Sequence, residues 1–519
     1  MTATPKNFAL SKKAEIVLAG ILAVFLVAVL TFKLGEVPAG LHVDEAGMAY
    51  DAMALAKDGM DRFGYHNPVY LINFGGGQNA LYTYLASIVV RVFGFSIWAI
   101  RIPAVVMALV AAGVLYALMR RAKGKLAALT SLALMAILPF AVMHARWGLE
   151  SYLLFPMVIL AVAALWWALN EHKMWQFVLA GILLGVTLYT YAVSYVILPI
   201  FLAIVIIYAL VTKRMRWMEL VALVVPLGLL ALPLMLMLAV NQGWLGEIST
   251  PFFSVPKMWF YRGGEFSLWN IGQNLHILAV IFGCDFLRYN ASAKFGTMYY
   301  VSVPLVVLGI GLMARQVAVW ARGDKTTQKK TKGFSLDAMM LALLVASFGC
   351  AMIMAQPNIN KINAIFVPLI YALVVAIVWL YRCWRWSLMV LGIIYAVGFG
   401  CFAKWYFWEY PVETRNDDLF VSMEGLAEAL DFAKTKTDGE IVAQVAPQQP
   451  YIYVLLADGI EAEEFRRDKV VENNGVVRVG RYNFVMNPEA EVFVTLGESE
   501  NLQGLQQKQF GDFVVYFRD

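Results

Sequence analysis

The sequence predicts an α-helical polytopic membrane protein with about eleven transmembrane helices, followed by a small soluble α/β domain. Of its 519 residues, 61% are hydrophobic and 15% are charged, whereas a soluble domain of average composition is about 45–50% apolar and about 25% charged. Apolar runs recur at the length that a bilayer core requires, about 20 residues per helix. The composition becomes charged near residue 410. We therefore predict a transmembrane domain at 1–409 and a soluble domain at 410–519.

The apolar runs give the predicted spans in chain order. They lie at 14–32, 97–119, 126–143, 151–169, 174–192, 194–212, 217–240, 297–314, 336–354, 362–380 and 386–407. The first run is too long for the apolar region of a signal peptide, which is about 7–15 residues, so we expect an uncleaved helix. A further run at 80–93 is too short to span and carries Arg91, which is typical of an interfacial segment.

The distribution of cationic residues predicts the sidedness of the spans. With 80–93 excluded as a span, the basic clusters between spans all fall on one side, which the positive-inside rule assigns to the cytoplasm. These clusters are Lys6, Lys12 and Lys13; Arg120, Arg121, Lys123 and Lys125; Lys173; Lys213, Arg214 and Arg216; Arg315, Arg322, Lys325, Lys329, Lys330 and Lys332; and Arg382 and Arg385. We therefore expect a plasma-membrane protein with a cytoplasmic N-terminus. Three large outer regions follow, at 33–96, 241–296 and 410–519.

The tail carries the pattern of a small α/β domain. Strand-like stretches of β-branched and aromatic residues lie at 440–445, 451–456, 491–496 and 513–517. Between 420 and 436, the spacing of Leu426, Leu430 and Phe432 predicts a helix.

Several function classes are excluded by composition and motif. The net charge of +5 is too small to indicate nucleic-acid binding, and no basic block stands beside an aromatic platform. No glycine-rich loop leads into a Lys-Ser/Thr pair, as a nucleotide phosphate site would require. The four cysteines are widely spaced, in neither a disulfide framework nor a zinc pattern. A divalent metal on Asp44, Glu45 and Glu150 stays open, but the sequence lacks a dedicated cluster and we expect none.

The first outer region opens with an acidic pair, Asp44 and Glu45. Residues 45–57 have helical spacing and are expected to lie on the outer surface as an amphipathic segment. Asp44 could simply be the N-cap of that helix. The region is nevertheless about sixty residues long, far beyond an ordinary connection, and long ordered loops are usually functional. Glu150 lies in an outer turn, so Asp44 and Glu150 can converge on one outer cavity.

Scattered motifs in this order resemble those of the GT-C glycosyltransferases, which include the protein O-mannosyltransferases and the lipid A aminoarabinose transferases. The likeness covers roughly residues 1–410 as architecture and only short motifs as sequence. The motifs are Asp44-Glu45, Asn79-Ala80-Leu81-Tyr82-Thr83-Tyr84, Phe93-Gly94, Arg101-Ile102-Pro103, His144-Ala145-Arg146, Glu150-Ser151-Tyr152, Leu188-Tyr189-Thr190-Tyr191 and Phe286-Leu287-Arg288-Tyr289-Asn290.

This resemblance implies a GT-C-like fold with interfacial helices in the first outer loop. It also implies an inverting transfer of a sugar from a polyprenyl-phosphate donor to a hydroxyl of an acceptor glycan, lipid or protein. Asp44 takes the place of the family's general base, and we expect Glu45 and Glu150 to assist it. The expected contacts with the donor phosphate are Arg288, Lys294, Lys361 and Arg146. The expected substrate contacts are His144, Tyr191 and Asn290.

Two other interpretations remain at this stage. A transporter or flippase would carry ionisable residues or helix breaks near the middle of its spans. The spans are nearly free of such charge, which favours an outer-face enzyme. A scaffold that only presents the tail would not need the acidic pair.

Overall fold

The computed structural model describes residues 10–260, 263–284, 287, 290–322, 333–417 and 419–518. The chain forms two compact units. One, the helical unit, consists of 1–32, 104–232 and 263–405. The other, the sheet unit, consists of 33–103, 233–262 and 406–519.

Long apolar helices dominate the helical unit. Its helices, with two that continue into the sheet unit, are Lys12–Thr31, Ile97–Ala122, Lys125–Ile137, Pro139–His144, Leu154–Glu171, Met174–Leu188, Ser194–Val211, Trp217–Asn241, Asn270–Gln273, Ile277–Phe282, Ser302–Arg322, Leu336–Ile353, Ile359–Ile362, Phe366–Cys383 and Ser387–Lys404. Short 3₁₀ helices lie at Glu150–Leu153, Asn274–His276 and Asn363–Ile365.

Nine helical segments within the described residues are long and apolar enough to cross a membrane. They are Lys12–Thr31, Ile97–Ala122, Glu150–Glu171, Ser194–Val211, Trp217–Asn241, Ser302–Val319, Leu336–Ile353, Ile359–Cys383 and Ser387–Glu413. Many of their apolar side chains are exposed, Val24 at 71% and Leu229 at 67% among them. This is the expected surface of helices whose solvent is lipid. The predicted polytopic helical fold is confirmed.

Two predicted spans contain shorter helices than expected. The span at 126–143 is interrupted at Leu138, whose backbone is extended, and a new helix begins with Pro139. Proline favours the first turn of a helix, where its missing N–H costs nothing. The span at 174–192 contains the fifteen-residue helix Met174–Leu188. The predicted count of about eleven spans therefore stays a prediction, and the segment 80–93 forms the thirteen-residue helix Leu81–Phe93.

The sheet unit is built around a seven-stranded mixed sheet. In spatial order its strands are Gln506–Phe510, Phe513–Phe517, Val492–Leu496, Ile441–Gln444, Tyr482–Asn483, Gly475–Val479 and Lys469–Glu472. Ile441–Gln444 runs parallel to both of its neighbours, and the other pairs are antiparallel. The helices of the unit are Val43–Asp58, Leu81–Phe93, Tyr410–Glu413, Leu426–Lys434, Pro450–Ala457 and Ala462–Asp468, and a π-helical stretch covers 405–409. Two-stranded sheets pair Leu41–His42 with Phe420–Val421, Tyr70–Leu71 with Gln78–Asn79, and Ile248–Ser249 with Ser254–Val255.

One of the four stretches predicted as strands is wrong. Strands occur within 440–445, 491–496 and 513–517 as predicted, and the helix Leu426–Lys434 is also confirmed. Residues 451–456, in contrast, lie in the helix Pro450–Ala457, with Pro450 at its first turn. All six side chains are buried. A short apolar run that is buried on every side has no period that separates a strand from a helix.

The first outer region and the tail share one hydrophobic core. Leu41, Ala46, Tyr50 and Ala54 belong to the same cluster of buried residues as the sheet and the tail helices. The helix Val43–Asp58 buries 11 of its 16 residues, so the expectation of an amphipathic segment on the outer surface is wrong. Many side chains of this helix are small, alanine above all, which lets its neighbours pack closely around it. The predicted boundary at residue 410 stays a prediction, although it separates residues that pack together.

Candidate active site

The helix Val43–Asp58, hereafter the acidic helix, begins at His42. The His42 Nδ1 atom accepts a hydrogen bond from the Asp44 backbone N–H at 3.1 Å. The Glu45 carboxylate accepts one from the His42 backbone N–H at 3.4 Å. This reciprocal arrangement satisfies backbone donors that have no partner within the helix. The alternative in which Asp44 is only the N-cap is therefore wrong, because His42 fills that position.

Glu45 forms a bidentate ion pair with Arg101. Arg101 Nε lies 2.9 Å from Glu45 Oε1, and Arg101 Nη2 lies 3.0 Å from Glu45 Oε2. Both side chains are fully buried. The guanidinium also donates to the backbone carbonyls of Leu34, Pro38 and Gly40 at 2.8–3.1 Å. Arg101 thereby fixes both the start of the acidic helix and the loop that leads into it.

Asp44 has a different environment from its neighbour. Its side chain is 48% exposed, and its Oδ2 atom lies 3.8 Å from His42 Nδ1. Burial lowers the pKa of His42, so the imidazole is neutral at pH 7. A neutral Nδ1 acceptor is what the cap requires, so the contact between His42 and Asp44 is not an ion pair at that pH. Of the acidic pair, the Glu45 carboxylate is therefore buried and paired, whereas the Asp44 carboxylate is accessible.

Tyr453 is a neighbour of the acidic pair that sequence reasoning missed. Its hydroxyl donates to the Leu41 carbonyl at 3.3 Å. Burial, with a smaller contribution from the negative charges of Asp44 and Glu45, raises the pKa of Tyr453. The phenol therefore stays protonated at neutral pH. The sequence did not point to Tyr453 because this residue lies in the segment 451–456, which was predicted as a strand.

A second buried charge cluster lies farther along the acidic helix. Arg62 lies between Asp51 and Asn73: its backbone N–H donates to Asp51 Oδ1 at 3.0 Å and its Nη2 donates to Asn73 Oδ1 at 2.6 Å. Asp61 accepts from the backbone N–H groups of Phe63 and Tyr65, both at 2.9 Å. Burial and the neighbouring charge of Asp51 raise the pKa of Asp61 to about 7. Both of these acids are buried, in contrast to the accessible acid at the start of the helix.

In the helical unit, Glu150 begins the 3₁₀ helix Glu150–Leu153 and is partly exposed. The residues after it are tied to later segments of the same unit. Ser151 is hydrogen-bonded to Asn360, and the Asn363 amide donates to the Ser151 carbonyl at 2.8 Å. These bonds join the turn that carries Glu150 to the segment that carries Lys361.

Tyr152 brings two of the predicted substrate residues together. Its hydroxyl donates to Asn290 Oδ1 at 2.7 Å. Its ring stacks on His144, with ring centroids 4.1 Å apart. His144 and Asn290 are both buried, at 4% and 3% exposure. They therefore support the turn through Tyr152, and their predicted contacts with substrate stay predictions.

Arg146, a predicted contact of the donor phosphate, is hydrogen-bonded to the backbone at the end of the first helix. Its guanidinium is fully buried and donates to the carbonyls of Val29, Leu30 and Phe32 at 2.7–3.0 Å. These carbonyls end the first helix, where no intrahelical donor is available for them. The backbone bonds occupy both Nη atoms of Arg146, and its predicted contact with the donor phosphate stays a prediction.

The other predicted cations differ in their surroundings. Lys361 Nζ lies 3.1 Å from Glu265 Oε2 and 3.2 Å from the Ala355 carbonyl. Lys294 is exposed, and its ammonium lies 5.6 Å from the centre of the Phe295 ring. Arg288 lies outside the described residues. Phosphate binding by these three residues stays a prediction.

Tyr191 follows the helix Met174–Leu188 and is half-buried. Its carbonyl accepts from the Ser194 backbone N–H at 2.9 Å. Within the described part of the chain, no three His, Cys, Asp or Glu residues are grouped as metal ligands. Asp44 and Glu150 belong to different units, so their convergence stays a prediction.

Comparison with solved structures identifies the fold. The apo structure of ArnT from Cupriavidus metallidurans matches over 96% of this chain and 97% of that chain, with a TM-score of 0.54 and 14% identity. This chain has the GT-C fold. The undecaprenyl-phosphate-bound form of the same ArnT matches over 74% of this chain and 64% of that one, with a TM-score of 0.45 and 16% identity. The apo oligosaccharyltransferase of Archaeoglobus fulgidus matches over 86% and 64%, with a TM-score of 0.48 and 13% identity.

Sequence comparison supports the GT-C assignment over part of the chain. The family model described as Dolichyl-phosphate-mannose-protein mannosyltransferase matches residues 79–240. No curated protein sequence matches. The family match includes Arg101, Arg146, Glu150 and Tyr191, and it begins after Asp44. The family match therefore does not extend to the acidic helix.

Proposed function

We propose that this GT-C protein is a membrane glycosyltransferase. It transfers a sugar from a polyprenyl-phosphate donor to a hydroxyl of an acceptor on the outer face, with inversion at the anomeric carbon and with Asp44 as the general base. Two findings support the reaction class: the GT-C fold and the match of residues 79–240 to a family described by sugar transfer from a lipid phosphate. The positive-inside pattern supports a cytoplasmic N-terminus, an outer tail and a plasma-membrane location.

The contrast between Glu45 and Asp44 carries the proposal. Both oxygens of Glu45 are held by Arg101, and the side chain is fully buried. Asp44 is the next residue toward the N-terminus, and its carboxylate is about half exposed. A general base must reach the proton that it removes, directly or through one water molecule. Asp44 meets that requirement and Glu45 does not.

Glu45 then acts as a positioning residue in place of the catalytic role that the resemblance implied. Its ion pair with Arg101 and its bond to the His42 backbone fix the first turn of the acidic helix. The carboxylate of Asp44 extends from that turn. A base held within a fraction of an ångström of its target gains rate because no free energy is spent on orienting it.

The proposed reaction has two parts, deprotonation of the acceptor hydroxyl and departure of the lipid phosphate. The acceptor hydroxyl loses its proton to Asp44 as its oxygen attacks the anomeric carbon. The bond from that carbon to the donor phosphate oxygen breaks, and the electron pair leaves with the lipid phosphate. Such a leaving group needs no acid, but it needs cations or N–H donors to hold its charge. Lys294, Lys361 and Arg288 are proposed for that role, and Glu150 for orienting the acceptor.

The test compares Asp44→Asn with a matched control, Glu428→Gln. Glu428 is an exposed acid of the sheet unit, on the helix Leu426–Lys434. Purified protein in liposomes is supplied with a panel of polyprenyl-phosphate sugars, and glycosylated product is measured by mass spectrometry. General-base catalysis contributes about 10²–10⁴-fold, so we expect Asp44→Asn to reduce the turnover number by that factor. Glu428→Gln should retain wild-type turnover.

The unfolding temperature of each variant is measured in parallel, so that loss of fold is not mistaken for loss of base. Wild-type turnover by folded Asp44→Asn protein would remove Asp44 from the mechanism. Movement of a fluorescent polyprenyl phosphate across the bilayer, at equal rates in wild type and in the Asp44→Asn variant, would support the flippase alternative.

A further inference from the structure

A cavity of about 330 Å³ opens in the helical unit, and none of the candidate active-site residues lines it. Its volume lies in the range of small-molecule pockets, about 300–1,000 Å³. Three cationic residues line it, namely Lys123, Arg315 and Arg382. The charge pattern of the sequence assigns all three to cytoplasmic loops, and the structure brings them to one cavity. The helices that border it are Ile97–Ala122, Lys125–Ile137, Ser302–Arg322 and Phe366–Cys383.

Three cations and no acid are among the residues that line the cavity, and one of these cations is paired with an acid outside the lining. Lys123 Nζ lies 2.7 Å and 2.9 Å from the two oxygens of Asp337, which also accepts from the Tyr371 hydroxyl. The charge of Lys123 is therefore balanced. Arg315 and Arg382 are exposed, and neither forms an ion pair with any residue that the structure describes. Two guanidinium groups remain to attract an anion.

Apart from Gln316, the rest of the wall is apolar. Leu312 and Val319 lie one turn before and one turn after Arg315, on the same face of their helix. Val374 and Val378 precede Arg382 in the same way on the facing helix. Charged and apolar side chains therefore line one cavity, and three of the four helices that border it are long and apolar enough to cross a membrane.

We propose that this cavity binds an anionic phospholipid. The phosphate is held by Arg315 and Arg382, and the acyl chains lie along the apolar wall. Guanidinium groups match phosphate geometry with paired N–H donors. Basic pockets between transmembrane helices on the cytoplasmic side are suited to anionic head groups. A free phosphate would leave the apolar wall uncovered. A zwitterionic head group would place its own positive charge near the two arginines, which would repel it.

The test measures lipid binding by the full-length protein, and it does not depend on sugar transfer. Purified protein is mixed with dioleoyl phosphatidylglycerol or dioleoyl phosphatidylcholine, and bound lipid is counted by native mass spectrometry. Each arginine near an anionic head group contributes about fivefold in affinity. We therefore expect the double variant Arg315→Gln/Arg382→Gln to bind phosphatidylglycerol about thirtyfold more weakly than wild type. The matched control is Arg385→Gln, which removes an exposed cation outside the cavity lining.

A second variant separates occupancy of the cavity from general surface charge. Val375→Trp fills the space without changing charge, and it should also lose phosphatidylglycerol. Equal affinity of wild type for the two lipids would overturn the proposal, as would unchanged binding by Val375→Trp or an equal loss in Arg385→Gln. Displacement of the lipid by millimolar inorganic phosphate would assign the cavity to free phosphate and would also overturn it.

Discussion

Two adjacent acids, Asp44 and Glu45, show how strongly environment separates residues of the same chemistry. Glu45 is fully buried and paired, whereas Asp44 is about half exposed. The sequence places them side by side and offers no reason to distinguish them. The difference arises from Arg101, which lies 56 positions away from Glu45 and fills both of its oxygens. A pair at that separation leaves no local pattern, so the sequence shows Glu45 and Arg101 in two separate motifs and does not reveal that they pair.

Arg101→Gln should destabilise the protein strongly. It would leave the Glu45 carboxylate buried without its cation, and breaking a buried pair in this way costs about 3–5 kcal/mol. Thermal unfolding of the purified protein measures the loss. The control is Arg467→Gln, whose ion pair with Asp468 is exposed and whose removal should leave the unfolding temperature unchanged. Equal unfolding temperatures for Arg101→Gln and wild type would contradict the positioning role.

Asp61 should make stability depend on pH. Its folded pKa is raised to about 7 by burial and by Asp51, above its unfolded value of about 3.9. Between these values the folded state binds more protons than the unfolded state, so stability falls as pH rises through that window. Asp61→Asn keeps an oxygen acceptor and removes the titration. We expect it to stabilise the protein relative to wild type more at pH 8 than at pH 5, by thermal unfolding.

The comparison needs a control acid that is exposed. Asp431 is 73% exposed in a surface pair with Lys434, so Asp431→Asn should shift stability equally at both pH values. A gain from Asp61→Asn that is the same at pH 5 and pH 8 would show that Asp61 is ionised in the folded protein throughout.

At the scale of the element, backbone carbonyls hold two of the three fully buried arginines that the structure describes, Arg101 and Arg146. Arg146 satisfies three carbonyls at the end of the helix Lys12–Thr31, and Arg101 does the same for the loop before the acidic helix. The sequence suggests substrate or motif roles on the outer face for both. Apolar runs reveal the spans because the bilayer fixes their length. Backbone acceptors carry no sequence signal, so the partners of these arginines could not be predicted.

Arg146→Lys should destabilise the protein although it keeps the charge. An ammonium cannot reproduce the fork that reaches three carbonyls at once. Each buried carbonyl left without a donor costs about 1–3 kcal/mol, so we expect a drop of several degrees in unfolding temperature without any added lipid. Lys173→Arg is the control, since Lys173 is 57% exposed. A lysine variant as stable as wild type would contradict this structural role of Arg146.

The helix Pro450–Ala457 contains the one stretch of the tail, 451–456, that was wrongly predicted as a strand. Its alternating Tyr, Ile and Val residues favour a strand by propensity. Burial on all sides overrides that preference, and Pro450 begins the helix. The strands Ile441–Gln444, Val492–Leu496 and Phe513–Phe517 are also buried on both faces, but there the β-branched and aromatic residues form strands as their propensity predicts. The helix contains Tyr453, and the contact of that residue with Leu41 was missed for this reason.

At the scale of the molecule, the fold class could be predicted from the sequence, whereas the grouping of segments could not. The sheet unit combines the first outer region, residues 233–262 and the tail. The bilayer imposes hydrophobicity on spans, but the association of outer segments depends on side-chain packing among residues far apart in the chain. The shared core of Tyr50, Ala54 and the tail could therefore be seen only in the structure.

A substitution in the tail should loosen the acidic helix. Leu430 is fully buried in the core that Leu41, Ala46 and Tyr50 share. Leu430→Asp would bury an unpaired charge there, so we expect amide hydrogen exchange at 43–58 to become at least about tenfold faster. Val485→Asp, at a position that is 54% exposed, should leave it unchanged. Unchanged protection of 43–58 in folded Leu430→Asp protein would contradict a single cooperative core.

The hydrogen bond from the Tyr50 hydroxyl to the Ile460 carbonyl, at 2.7 Å, joins residues 410 positions apart. The ribosome completes the first outer region long before it reaches the tail. Until the tail is made, the acidic helix can pack against Leu81–Phe93 but lacks the helix Pro450–Ala457, and long-range contacts of this kind form late. The sugar transfer that we propose is thus expected only after the tail has been made. A chain that terminates before Ile460 would lack this hydrogen bond and the part of the core that the tail supplies.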